Sequence, residues 1–255
     1  MCGRYVIVSS PEAIRALFGY PERPNFPPRY NIAPSQPVPI VRLAEGKRQF
    51  ALVRWGLIPS WAKDPRAFTL LINARGESVT EKAAFRNAMR RRRCLFPVDG
   101  FYEWQALATR KQPYFVHRRD GAPFAFAGLW ETWTGPNGEE IESAAIVTTM
   151  ANRLLAPLHE RMPVIVPADA FDLWLDCARV DAETASALIA PAPENLLEAY
   201  PISQAVNRTA NDDAKLIEPL APGAEADVPP PAPAKKAEPR TKRAPKKDSG
   251  QESLF

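Results

Sequence analysis

Along most of the first 220 residues, apolar positions either alternate with polar ones or gather in short blocks bounded by Gly, Pro, Asn and Asp. Both patterns read as strands. The clearest lie at 4–8 (RYVIV), 93–98, 101–105, 114–117, 124–133, 143–149 and 163–166, with 37–43 and 48–57 forming a hairpin around Glu45-Gly46. Trp130-Glu131-Thr132-Trp133 runs into Gly135-Pro136-Asn137-Gly138, a strand ending in a turn. Helical spacing is rarer. Ser10 caps a helix over 11–18, with Pro11 at its first position, and Thr80 caps one over 81–91. Two more helices are predicted over 169–176 and 181–189. This layout predicts an α+β fold, a curved antiparallel β-sheet or barrel-like core with peripheral helices.

Composition changes the picture at one point. From Ala221 the chain becomes rich in Ala, Pro and Lys, with almost no large apolar residue before Leu254-Phe255. Such a stretch buries too little surface to offset ordering, so 221–255 is expected to be disordered and 2–220 to form one domain. The formal net charge of +4 is a mild pointer to a polyanionic partner. Cys2, Cys94 and Cys177 are too dispersed for a disulfide framework, which suits a reducing compartment. No secretory signal is expected, and no apolar run approaches the ~20 residues of a membrane span. A cytoplasmic, nucleoid-associated monomer without membrane contacts is expected. The two histidines and scattered cysteines offer no metal-ligand spacing, and no cofactor is expected.

The chain opens Met1-Cys2-Gly3-Arg4-Tyr5. Removal of Met1 would leave Cys2 with a free α-amine beside its thiol. The amine titrates at about 7.7–8.0 and the thiol at about 8.5, so both nucleophiles are partly available near neutrality. The amine can condense with an aldehyde, and the thiol can close onto the same carbon to give a five-membered thiazolidine. An internal cysteine cannot do this, because its nitrogen is an amide. Amino-terminal cysteine amidotransferases also begin Met-Cys-Gly, so this fragment leaves two chemistries open.

Three further motifs carry chemistry. In Leu71-Ile72-Asn73-Ala74-Arg75-Gly76-Glu77, strand spacing would put Asn73, Arg75 and Glu77 on one face. Phe101-Tyr102-Glu103-Trp104 places a carboxylate among aromatics, where desolvation raises its pKa and suits it to proton transfer. Leu158-His159-Glu160-Arg161-Met162-Pro163 offers a histidine as acid, base or phosphate partner. His117, in a plain strand, fits a structural role.

Taken together, MCGRY at 1–5, NIAPSQ at 31–36, WGLIPSWAKD at 55–64, NARGES at 73–78, CLFPVDGFYEW at 94–104 and HERMPVIV at 159–166 resemble the SRAP (SOS-response-associated peptidase) family of abasic site processing proteins. The resemblance covers about residues 1–210 in family order. It implies a DNA damage response protein that crosslinks to abasic sites in single-stranded DNA, or at junctions of single and double strands, through Cys2 after autoprocessing of Met1. It implies that Asn73 positions the sugar, that Glu103 opens the deoxyribose ring and moves protons, and that His159 sits near a phosphate. A lyase side reaction is also implied. Arg4, Arg75, Glu77 and Arg86 are candidate DNA contacts, Trp61 and Trp104 candidate stacking faces, and Thr149 a candidate pocket residue. The run 90–93 adds positive charge. An amidase-like hydrolase and a non-covalent binder of modified DNA remain the rival readings. At the carboxyl end, Gln251, Leu254 and Phe255 resemble a peptide that docks on a replication sliding clamp.

Overall fold

A computed structural model describes residues 2–221. The expected disordered tail from 222 onward, with its clamp-type peptide, lies outside the described residues. In chain order the strands are β1 (Tyr5–Ile7), β2 (Arg29–Ile32), β3 (Pro37–Ala44), β4 (Lys47–Trp55), β5 (Asn73–Arg75), β6 (Arg93–Val98), β7 (Gly100–Ala106), β8 (Lys111–Arg118), β9 (Phe124–Thr134), β10 (Glu140–Met150), β11 (Arg161–Pro163), β12 (Ile165–Val166) and β13 (Leu197–Pro201). The helices are α1 (Pro11–Phe18), α2 (Arg86–Arg91), α3 (Phe171–Leu175) and α4 (Ala182–Ser186).

Two sheets form. One is antiparallel, in the order β13-β8-β7-β1-β2. The other runs β11-β10-β4-β3-β6-β9-β12, and a further β9–β10 pairing closes β10, β4, β3, β6 and β9 into a barrel-like ring. The expected barrel core is present, but it is not purely antiparallel, because β10 pairs parallel with β4 and with β5.

The fully buried strand β6 shows how the layers are built. Cys94, Phe96 and Val98 join a core shared with Tyr5, Phe101 and Val116 of the antiparallel sheet. Leu95, facing the other way, joins a second core with Ile14 and Phe18 of α1 and Phe171 and Trp174 of α3. The chain changes sheets at Asp99, whose carboxylate accepts from Val8 N and Ser9 N. Gly100 follows because a Cβ there would sit 2.3 Å from the Phe115 ring.

Helix α1 starts where its cap predicts, with Ser10 Oγ accepting from Ala13 N at 3.2 Å and Gly19 ending it at φ 69°. The hairpin turn is also as read, with Glu45 and Gly46 both at positive φ. The helix expected from 81 begins only at Arg86. Val79 and Phe85 both reach the second core. Six residues apart, they would stand about 120° from each other on a continuous helix. Irregular turns over 76–85 let both be buried. The predicted helix over 169–176 shortens to α3 behind a 3-10 turn, and that over 181–189 to α4.

Candidate active site

Strand β1 delivers the amino-terminal end. It pairs with β7 through Tyr5↔Phe101 and Val6↔Gly100, and Tyr102 N donates to Arg4 O at 3.1 Å. The same register carried further brings Glu103 level with Gly3, beside Cys2. Cys2 is buried, with Sγ 3.8 Å from Arg4 O, and Asn73 Nδ2 donates to Cys2 O at 3.0 Å. Burial pushes the Cys2 thiol far up, and the Glu103 charge pushes it further. The sulfur therefore rests as a protonated thiol and needs a base to become a nucleophile.

Glu103 fits that need. It is buried, and desolvation raises its carboxyl from 4.5 to about 7. Such a group both gives and takes a proton near neutral pH.

Asn73 is set by β5, which lies parallel to β10 with Asn73 opposite Ile146. Its lead-in is pinned by Trp55, a buried residue whose Nε1 donates to Ile72 O at 3.1 Å. Asn73 Oδ1 is buried with no hydrogen-bond partner among the described residues. A buried acceptor left open is a place for a donor from a ligand or from a freed amine.

Arg75 is exposed and shares the Asn73 side of β5. Glu77 does not share it. The strand ends at Arg75, and Glu77 sits in a 3-10 turn over Gly76–Ser78. There its two oxygens accept from Arg161 Nη2 and Nη1 at 2.8 and 3.2 Å. Arg161, itself buried, also donates to Thr148 O at 2.9 Å. The Arg161 hydrogen bonds hold the Glu77 carboxyl below its ordinary value. His159 Nδ1 accepts from Arg161 N at 3.0 Å, so the neutral ring carries its proton on Nε2. Burial lowers the His159 pKa. Thr149 is buried opposite Met162 on β11.

The remaining candidates lie further out. Trp61 is 57% exposed and meets Phe68 edge-on at 5.5 Å between centroids. Trp104 is half-buried, its Nε1 donating to Asn207 Oδ1 at 2.8 Å. Arg86 is exposed at the first position of α2. Arg93 leaves the basic run altogether. It is buried, and its guanidinium donates to the carbonyls of Met89, Trp174, Asp176 and Val180.

The structure thus gathers Cys2, Asn73 and Glu103 directly, and ties His159 to Glu77 through Arg161. Sequence reasoning passed over Arg161, two positions after His159 in the same motif, and Asn31, buried in NIAPSQ. Among the described residues no group of His, Cys, Asp and Glu is arranged to hold a metal ion, and no helix is long and apolar enough to cross a membrane.

Comparison with known proteins identifies the family and the fold. The family profile of the SOS response associated peptidase (SRAP) matches residues 1–209. The chain is 36% identical over 222 residues to the abasic site processing protein YoaM of Bacillus subtilis, covering 86% of this chain and 98% of that one. It is 31% identical over 228 residues to the abasic site processing protein YedK of Escherichia coli, covering 86% and 100%. A solved protein of Bacteroides thetaiotaomicron shares the fold at TM-score 0.77 and 24% identity, over 86% of this chain and all of that one. A phage-related protein of Bordetella bronchiseptica aligns at TM-score 0.66 and 32% identity, over 80% and 95%.

Proposed function

Because the chain belongs to the SRAP family, we propose that it handles abasic sites in single-stranded DNA by forming a covalent thiazolidine through Cys2 once Met1 has been removed. The observation that carries the reading is the meeting of Cys2, Asn73 and Glu103 at one buried point. The Cys2 amine adds to the sugar aldehyde and loses one water to give an imine. The Cys2 thiol then adds to the imine carbon, and its proton ends on nitrogen. Glu103 donates to the ring oxygen as the deoxyribose opens and afterwards shuttles protons between sulfur and nitrogen. Asn73 holds the Cys2 carbonyl and offers its open Oδ1 to the amine or sugar. His159 Nε2–H faces the phosphate. The adduct shields the lesion, and β-elimination from the imine is the route to a lyase side reaction.

The test is purified protein mixed with a single-stranded oligonucleotide carrying one abasic site. A covalent species one water lighter than the sum of its parts, with the link on residue 2, is expected. Cys2→Ala gives none. Equal crosslinking by Cys2→Ala, or Met1 retained in active protein, overturns the reading. Glutamine turnover in its place would mark a hydrolase. The proposal extends to Gln251, Leu254 and Phe255 as a clamp-docking peptide, checked by titrating sliding clamp against a chain lacking its last five residues.

A further inference from the structure

Arg4 is anchored on one side and open on the other. Its Nη1 donates to Asn31 Oδ1 at 2.7 Å and to Val206 O at 3.0 Å. Its Nε and Nη2 have no hydrogen-bond acceptor among the described residues. Asn31 in turn is fully buried. Its Nδ2 is shared among the carbonyls of Val206, Arg208 and Asn211, at 3.2, 3.1 and 2.8 Å. The Asp212 carboxylate accepts from the backbone N–H groups of Tyr30 and Asn31 and from Arg29 Nε. Residues 203–217 therefore form a strap over the edge of the antiparallel sheet. Val206 and Leu216 sink it into a small core with Val6, Tyr102 and Phe115.

We propose that Asn31, gripped by this strap, is a positioning residue that aims the open Nε–Nη2 edge of Arg4 at a DNA phosphate beside the captured lesion. That edge presents two parallel N–H groups, the geometry that matches two phosphate oxygens. Fixing Nη1 beforehand removes rotamer freedom that would otherwise be lost on binding. The same residue reaches the reactive end, because Arg4 O faces the Cys2 thiol and accepts from Tyr102 N. Arg4 thus sets the spacing between the bound phosphate and the nucleophile. Asn211 and Asp212, which complete the strap, lie just beyond the family-profile match, which ends at 209.

The inference rests on the DNA-capture reading, and its test is separable from that reading. Binding of an undamaged single-stranded oligonucleotide is measured by fluorescence anisotropy across a salt series, for the wild type, Arg4→Ala, Arg4→Lys, Asn31→Ala and the Arg4→Ala/Asn31→Ala double variant. Arg4→Ala and Asn31→Ala each weaken binding ~10-fold, and Arg4→Ala lowers the salt slope by about one phosphate. The double variant binds no more weakly than Arg4→Ala. Arg4→Lys keeps the charge but loses several-fold in affinity, on the order of 5-fold, since lysine lacks the fork. If Asn31→Ala weakens binding as much in the Arg4→Ala background as in the wild type, or if Arg4→Lys binds like the wild type, the proposal is overturned. Should Asn31→Ala fail to fold, Asp212→Ala loosens the same strap at a partly exposed position, and the same outcomes apply. No lesion is present in this assay, so a missing crosslink on abasic DNA would count against the Cys2 chemistry alone.

Discussion

Two carboxylates near the site have been pushed in opposite directions. Around Cys2 the environment is dry, and Glu103 is raised to about 7 by burial. Around β11 it is charged, and Glu77, half exposed, is lowered by its bidentate partner Arg161. The first carboxylate is kept from ionising freely, which costs stability and gives a proton donor. The second is kept ionised, which steadies the junction of β5, β10 and β11. Separated pKa values in acids of one site mark different tasks, and under the proposed function one region serves the chemistry and the other the geometry.

The largest effect expected from breaking this contrast is on rate. Glu103→Gln keeps shape and removes the titrating proton. Crosslinking should slow by about 100-fold, and the inflection near neutral pH should vanish from the rate profile. Time courses on abasic oligonucleotides between pH 5 and 9 (on the order of one point per half unit) check it. Wild-type speed with an unchanged profile would remove Glu103 from the chemistry.

Next comes Arg161→Met, which strips the donors from Glu77 and Thr148 while filling similar space. It should destabilise the fold by about 2 kcal/mol in urea titrations, because the buried Thr148 oxygens lose their donor and the half-exposed Glu77 its partner. An unchanged midpoint would mean the Glu77–Arg161 pair contributes nothing.

The third prediction joins stability to pH. The folded pKa of Glu103 lies above its ordinary 4.5, so the folded state keeps a proton that the unfolded chain gives up between 4.5 and about 7. Its contribution is whole below that window and is lost as pH rises through it. Glu103→Gln should therefore be more stable than the wild type at alkaline pH, by about 1–2 kcal/mol, and indistinguishable in acid. Thermal melts on both sides of neutrality decide. The smallest effect is that of Glu77→Gln. Its folded pKa is lowered, so its contribution is present above the ordinary value of 4.5 and fades as pH falls. Half exposed, it should contribute less than about 1 kcal/mol.

What could be read from the sequence follows how local each cause is. The Ser10 cap, the Glu45-Gly46 turn and β6 depend on neighbours in the chain, and they stand where they were predicted. Cys2, Asn73 and Glu103 were singled out because each lies in a motif with its own chemical logic. The parts not legible depend on distant partners. Arg161 meets Glu77 from 84 residues away, and Arg4 meets Val206 from 202. Strands β2 and β13 carry no strong alternation and exist because β1 and β8 offer edges to pair with. The burial of Arg93, counted in sequence only as part of a positive run, depends on four carbonyls scattered over three segments.

One strand carries more of this architecture than its length suggests. Asn73 and Arg75 hang on one margin of β10, while Met162 and Arg161 hang on the other. Deleting a single residue there would invert every outward and inward position beyond the gap. Asn73, Arg75 and His159 would then all be displaced together, with no change to any of them. A mutational survey of the chain should accordingly find β10 intolerant of length changes even where its individual side chains accept substitution.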